Sequence, residues 1–475
     1  MFMRIIPDET LAQAAYFIGC QKTGEAIVID PQRDVDRSTK LAAEHGLEIV
    51  AVAETHIHAD FVSGSRELAE RVGATVFVSD EGDADWKYEW LDKKAGGGSY
   101  DHRLLTDGDT FRVGNIELKA IHTPGHTPEH LVFMVTDLGA GADEPIGIAT
   151  GDFVFVGDLG RPDLLETAAG QAGAMEPSAR RLYKSIGALD AVPDFVQIWP
   201  AHGAGSACGK DLGAVPTSTV GYERRFNPAI QAARDEQHFV DYILSGQPEP
   251  PLYFAAMKRV NKAGPPILGG LPIPDRVTVH DLERLETSRV ALIDTRDWDD
   301  FRAGHIPGSL SLPLTKSFPS DAGSMVRETD EIVLIVAPDR LEDAVRMLIR
   351  IGLDRITGWC PPEDLGGADR SRFATIDEID AREASPMVDD GAVAVLDVRR
   401  ATEFAEGHIP GAMNIAHTRL AAHTDELPRD TTLLVHCKSG KRSARASAYL
   451  ARAGFDILNL RGGFEAWESA AAATA

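Results

Sequence analysis

The sequence predicts a layered α/β protein built in three parts. Over the first half, short apolar runs alternate with helix-like stretches, the pattern that layers helices against sheets. From Gly246 to Pro274 the chain is crowded with proline and glycine, as in Gln247-Pro248-Glu249-Pro250-Pro251 and Gly264-Pro265-Pro266, which suits a wrap or linker better than a core element. Beyond that point the chain repeats itself. Asp294-Thr295-Arg296, Phe301 and Gly304-His305-Ile306-Pro307-Gly308 recur as Asp397-Val398-Arg399, Phe404 and Gly407-His408-Ile409-Pro410-Gly411, at a constant offset of 103 residues. Such an offset marks one domain copied in tandem. The expected divisions are 1–264, 265–372 and 373–475.

Taken in order, Ala14–Gly19 and Ala26–Ile29 read as a hairpin of strands, ended by Asp30-Pro31. A helix over Ser38–Glu44 stops at Gly46, and the next strand, through Val50–Val52, delivers the chain to Glu54-Thr55-His56-Ile57-His58-Ala59-Asp60-Phe61. Val62–Val72 reads as a helix. After the run Val113–Ile121 comes His122-Thr123-Pro124-Gly125-His126-Thr127, then a strand over Leu131–Val135. Ile146–Thr150 leads into Gly151-Asp152, and another short apolar run into Pro200-Ala201-His202. Each polar group thus stands just beyond a strand, where loops present chemistry from a rigid frame. In the last copy Leu433–His436 reads as a buried strand ending at Cys437, followed by Lys438-Ser439-Gly440-Lys441-Arg442 and a helix from near Ser443.

The 475 residues are ample for several cores. A formal charge of -25 argues against nucleic acid and anionic membranes as partners. No run approaches the ~18 apolar residues of a membrane span, and the first residues lack the regions of a signal peptide, so a cytoplasmic location is expected. Cys20, Cys208, Cys360 and Cys437 are too few and scattered for a disulfide framework and are expected as free thiols. A homo-oligomer is expected.

His56 and His58, with Asp60 two residues on, can meet at one metal only if the backbone turns sharply there. A phenyl ring cannot ligate a cation, so Phe61 contributes nothing to such a site. Thr55–Asp60, Pro124–Thr127, Gly151-Asp152 and Pro200–His202 resemble, in order, the motifs of the metallo-β-lactamase superfamily, with Phe61 standing where the last His of HxHxDH is usual. The resemblance implies an αββα sandwich. Loss of that His makes a dinuclear site doubtful and resembles the persulfide dioxygenase branch. On that resemblance His56, His126 and Asp152 hold one Fe(II) per chain, with an open face for a persulfide sulfur and O2. Two imidazoles and a carboxylate suit zinc as well; iron follows from the resemblance alone.

His58, Asp60 and His202 then orient ligands or steer protons. His122 and His130 are read as structural. Arg161 resembles a family position that helps to hold the thiol carrier of the persulfide. Cys208, in a glycine-rich loop beside Lys210, is either an ordinary small residue or a partly ionised thiol that carries a persulfide to the iron.

Both copies beyond the linker resemble rhodanese α/β domains. In the second, a thiol between a strand and a helix N-terminus faces backbone N–H groups and the positive end of the helix dipole. Lys438, Lys441 and Arg442, with Ser439 and Gly440, favour the Cys437 thiolate and would cradle its anionic persulfide. Asp397, Arg399 and Glu403 match the residues that brace this loop. In the first copy Ala337 stands opposite Cys437, Pro338–Glu342 replaces the basic loop, and Cys360 lacks cations, so it is read as a degenerate copy that spaces or positions its neighbours.

The expected chemistry oxidises a glutathione, coenzyme A or cysteine persulfide with O2 to sulfite. Cys437 then passes a second sulfur onto the sulfite to give thiosulfate, as in sulfide detoxification. Two other readings stay open: a glyoxalase II-like thioester hydrolase with two zinc ions, and a sulfurtransferase whose metal domain is not catalytic.

Overall fold

The computed structural model describes residues 1–168 and 170–474. Its contacts divide the chain into two units, Met1–Leu271 with Ile349–Gly352, and the remainder of the described chain.

The first unit is built on two six-stranded sheets. One runs in chain order through β1 (Phe2–Asp8), β2 (Gln13–Cys20), β3 (Glu25–Ile29), β4 (Glu48–Ala53), β5 (Thr75–Ser79) and β6 (His102–Leu105). The other comprises β7 (Thr110–Val113), β8 (Ile116–His122), β9 (Leu131–Asp137), β10 (Gly147–Gly151), β11 (Gln197–Pro200) and β12 (Ser218–Thr219), again in chain order from one edge. Side chains alternate across a strand, and here both faces of each sheet are covered. Ile18, Ile27, Ala51 and Phe77 of the first sheet pack against Leu118, Phe133, Val135 and Trp199 of the second. Their neighbours Phe17, Val28, Val52 and Val76 face the other way, onto Leu68, Ala69 and Ala42 of two helices. Val132, Ile148 and Ile198 likewise pack against Leu182, Phe239 and Ile243. Helix, sheet, sheet, helix is the αββα sandwich.

Some elements differ from expectation for local reasons. β1 pairs antiparallel with β2 over seven residues and was not anticipated, because its burial is broken by Arg4 and Pro7. The helix expected over Val62–Val72 begins at Ser65, since Gly64 lies so close to Gln32 that a Cβ there would stand 2.3 Å from its carbonyl oxygen. The run Val113–Ile121 is the turn and second strand of a hairpin that reverses at Gly114 (φ +56°).

The second unit holds two five-stranded sheets, all of whose recorded pairings are parallel. The first orders as Asp275–Arg276, Ile356–Cys360, Glu331–Ile335, Val290–Asp294 and Leu310–Ser311. The second orders as Asp377–Ile379, Ile457–Leu460, Leu433–His436, Ala394–Asp397 and Met413–Asn414. Equivalent strands occupy equivalent places, as a duplication requires. Among the described residues no helix is long and apolar enough to cross a membrane.

Phe133 is fully buried between the sheets of the first unit. Replacing it with Ala should destabilise that unit by about 3–5 kcal/mol, read as a lower urea midpoint.

Candidate metal centre and sulfur-transfer loop

Four strands of the sandwich release their chains at one edge, and each release carries a polar side chain. β4 leads to His56 and His58, β8 to His126, β10 to Asp152 and β11 to His202. The turn after β10 needs glycine: Gly151 has φ +51°, and a Cβ there would stand 2.6 Å from the Thr55 hydroxyl and 2.7 Å from His130 Nε2. Gly160 lets the following loop close over the Asp152 carbonyl, where a Cβ would come within 1.7 Å.

His56, His126 and Asp152 are buried, and one ligand atom from each lies within 4.8 Å of the others. Their far sides are already committed. The Thr55 hydroxyl donates to Asp30 Oδ2 (2.8 Å) and so accepts from His56 Nδ1–H (2.9 Å). His126 Nδ1–H donates to the Arg161 carbonyl (3.0 Å). Both rings therefore turn Nε2 inward, and both Asp152 carboxylate oxygens are buried without a hydrogen-bond partner. A buried carboxylate facing two imidazole acceptors is costly unless a cation joins them. These residues fit a metal, and second-side hydrogen bonds of this kind fix ligand orientation.

Burial, with the neighbouring imidazoles of His58 and His126, holds His56 well below the usual histidine range. Burial also lowers His126, against the pull of Asp152. Neutral imidazoles are the ligand form. His58 lies behind His56 with ring centroids 4.2 Å apart, its Nε2 held by Glu54 (3.1 Å) and Asp30 (3.2 Å). Burial opposes its charge, but those two carboxylates raise it well above the usual range. Phe61, fully buried, packs on the His58 ring at 4.3 Å.

On the other side of Asp152, His202 Nε2 stands 3.5 Å from Asp152 and 3.2 Å from Asp60. Asp60, His202 and Cys208 form a second buried set whose ligand atoms lie within 4.8 Å of one another. Cys208 is thus beside the centre. Burial pushes its thiol up to about 12, against the pull of His202. Lys210, the cation meant to lower it, spends its ammonium on the carbonyls of Tyr242 (2.6 Å) and Ser245 (3.0 Å). Arg161 is also turned inward, donating to both oxygens of Asp163 and to the Ala207 carbonyl (2.8 Å). It ties two loops of the site together and is only 1% exposed. His130 accepts the Asp152 N–H (3.1 Å) and is a brace.

Sequence reasoning missed Asp30, Glu54 and Glu129. Asp30 has φ +51° and is the hub behind His56 and His58; its signal was a carboxylate directly ending an apolar strand. Glu129 accepts the Ile57 N–H (2.8 Å), and burial raises it to about 7. Beside it a narrow cleft of about 20 Å³, lined by Ile57, Ala59, Trp86, His126, Leu165 and Lys258, has room for roughly one water-sized atom.

In the second unit Cys437 follows its strand into a loop closed by Gly440 (φ +97°), whose N–H points at the Cys437 sulfur (3.2 Å). The helix begins at Lys441, two residues earlier than expected. Arg442 is gripped by both oxygens of Glu403 (2.6 and 2.8 Å), which holds Glu403 down to about 2. Arg399 pairs with Asp397 and donates to the Gly407 carbonyl. Lys438 stands 3.8 Å from Glu465, and Ser439 and Lys441 are exposed. The first copy keeps the same clamp, Arg296 on Asp294 and the Gly304 carbonyl. Its Cys360 is buried and its thiol pushed up to about 11.

The model of the metallo-beta-lactamase superfamily matches residues 9–202, and that of the rhodanese-like domain matches 280–357 and 380–470. A solved metallo-beta-lactamase from Staphylococcus aureus subsp. aureus COL is 41% identical, with a TM-score of 0.68 over 76% of this chain and 99% of that one. A beta-lactamase hydrolase-like protein of Xylella fastidiosa is 30% identical over 296 residues, 56% of this chain. The match spans 61% of that relative's length. The mitochondrial persulfide dioxygenase of Bos taurus is 28% identical over 225 residues, 46% of this chain and 72% of that protein.

Thr55→Val, which cuts the link between Asp30 and His56, should weaken metal binding by about 10–100-fold in equilibrium dialysis. Glu129 binds its proton more tightly folded than unfolded, so its charge costs stability increasingly as pH rises from about 4.3 through about 7. Glu129→Gln should therefore melt about 2–4 °C above the parent at pH 8, and the gain should vanish near pH 5.

Proposed function

The chain belongs to the metallo-β-lactamase superfamily and carries two rhodanese-like domains, and from that premise we propose that it converts persulfide sulfur to thiosulfate in two steps. The first unit oxidises the outer sulfur of a low-molecular-weight persulfide, RSSH, with O2 and water to RSH and sulfite. Cys437 then delivers a second sulfane sulfur to that sulfite. The observation that carries the reading is the buried His56, His126 and Asp152 set, beside a Phe61 that cannot complete the usual second set. The likeness to a mitochondrial persulfide dioxygenase points the same way.

One Fe(II) held by these three residues would supply redox chemistry toward O2 and an open face for the substrate sulfur. The chain's own work is to orient. Thr55 with Asp30, and the Arg161 carbonyl, keep the two imidazoles aimed inward. His202 Nε2 stands between the carboxylates of Asp60 (3.2 Å) and Asp152 (3.5 Å).

In the second step Cys437 holds the sulfane sulfur as a persulfide, with the Gly440 N–H and Arg442 placed to stabilise negative charge. The sulfite sulfur attacks the outer sulfur of that persulfide, the S–S bond breaks, and the electron pair returns to the Cys437 thiolate as thiosulfate leaves. Placing both activities in one chain raises the concentration of intermediate at the second site.

A second reading rests on Asp60, His202 and Cys208, whose convergence could admit another cation and so a dinuclear hydrolase. Metal analysis with O2 uptake separates the two. Iron at one equivalent per chain, and O2 consumed with glutathione persulfide, are expected; two zinc ions per chain with turnover of S-lactoylglutathione would overturn the dioxygenase reading. Cys437→Ser should leave O2 uptake in place and raise the ratio of sulfite to thiosulfate at least about tenfold, so an unchanged ratio defeats the coupling. Glu403→Gln should slow thiosulfate formation by about tenfold through release of Arg442.

A further inference from the structure

Within the second unit a cavity of about 570 Å³ opens at the Cys437 loop, and its walls come from both rhodanese-like copies. Ser439, Gly440 and Lys441 of the active copy form one side; Trp298, Arg302 and Thr315 of the degenerate copy form the other. A volume of this size belongs to pockets that take an organic ligand, roughly 300–1,000 Å³, and a small inorganic anion leaves most of it unfilled.

The degenerate side is held firmly in place. The Trp298 indole N–H donates to Glu378 (2.8 Å) and its ring stacks on Phe301 at 5.9 Å. Arg302 is fixed by Asp299 (3.0 Å) and Glu378 (3.5 Å). Asp321, buried in the same copy, grips Arg445 (2.5 Å) and His417 (3.0 Å) of the active one. Arg445 in turn donates to the Lys441 carbonyl (2.6 Å), at the start of the helix behind the Cys437 loop. Lys441 itself is exposed and pairs with no carboxylate among the described residues. An aromatic wall, with Asp297 and Asp299 beside it, faces a loop that carries the exposed Lys441, and the Gly440 N–H (3.2 Å) links that loop to the buried Cys437 sulfur.

We propose that this cavity seats the carrier of an organic persulfide, RSSH, so that Cys437 is loaded from it directly and the degenerate copy selects the donor. The proposal rests on Cys437 being a sulfur carrier. The Cys437 thiolate attacks the outer sulfur of RSSH, a new S–S bond forms, the old one breaks, and RS⁻ leaves with the electron pair. The outer sulfur keeps its proton, and no oxidant is consumed. Trp298 supplies a face for the apolar part of R, and Lys441 attracts a carboxylate or phosphate on it. The copy that lost its thiol at Ala337 thereby acquires a task beyond spacing its neighbours.

The test loads the full chain without O2, using glutathione persulfide or thiosulfate as donor, and reads the added sulfur on the Cys437 peptide by mass spectrometry. The quantity is the ratio of the two loading rates. Trp298→Ala should lower the ratio of glutathione persulfide to thiosulfate loading at least fivefold ("about one kcal/mol" of selectivity), and Trp298→Phe should restore it to within about twofold. Thr315→Trp, on an exposed residue, fills the cavity and should act like Trp298→Ala; it decides the matter if Trp298→Ala does not fold. An unchanged ratio in Thr315→Trp overturns the proposal. So does a wild-type chain loaded by thiosulfate but not by glutathione persulfide, while a chain loaded by neither overturns the sulfur-carrier reading itself.

Discussion

The first unit depends on one carboxylate in an unusual backbone conformation. Asp30 sits at φ +51°, a region that costs a non-glycine residue of order 1–3 kcal/mol, and such residues cluster at functional sites. Its side chain offsets that cost with the Thr55 N–H (2.7 Å), the Thr55 hydroxyl (2.8 Å) and His58 Nε2 (3.2 Å). The carbonyl of Asp30 accepts from Gln13. Through Thr55 it fixes His56, and through His58 it fills the space behind that ring. Without this hub the loop after β4 would have no reason to aim an imidazole at Asp152.

Phe61 has a double role. It removes one ligand from the neighbourhood of Asp60 and packs against His58, whose Nε2 is engaged by Asp30 and Glu54. Yet Cys208 arrives from another loop to stand with Asp60 and His202. Its burial keeps the thiol protonated where no cation draws the proton off, so its chemistry is tied to what occupies the neighbouring site.

The two rhodanese-like copies show how one framework separates chemistry from support. Both keep the buried Asp–Arg clamp and the same strand order. Only the second closes a glycine-turned, basic loop around its thiol. In the first, the strand leads into Pro338, and a proline at the first turn preorganises a helix start without leaving an N–H for a sulfur cradle. What remains of that copy is a rigid wall, held by Asp321 and Trp298.

Much of this was legible in the chain itself. The candidate set His56, His126 and Asp152 was legible because each stands beyond an apolar strand in a motif that resembles a known family's, and the Cys437 loop because its cations and glycine are contiguous. The duplication was legible for the same reason, a constant spacing. Asp30, Glu54 and Glu129 were not, because their meaning lies in partners such as His58 and Ile57 that only the paired strands bring within reach. Nor could the sequence foresee that Lys210 would turn from Cys208, or that Arg161 would be buried in a bridge to Asp163 and Ala207. Residue type and order determined which groups could act. Which of them face one another, and in which protonation state, was decided by burial and long-range pairing, since desolvation and hydrogen bonding depend on distance in space and not along the chain.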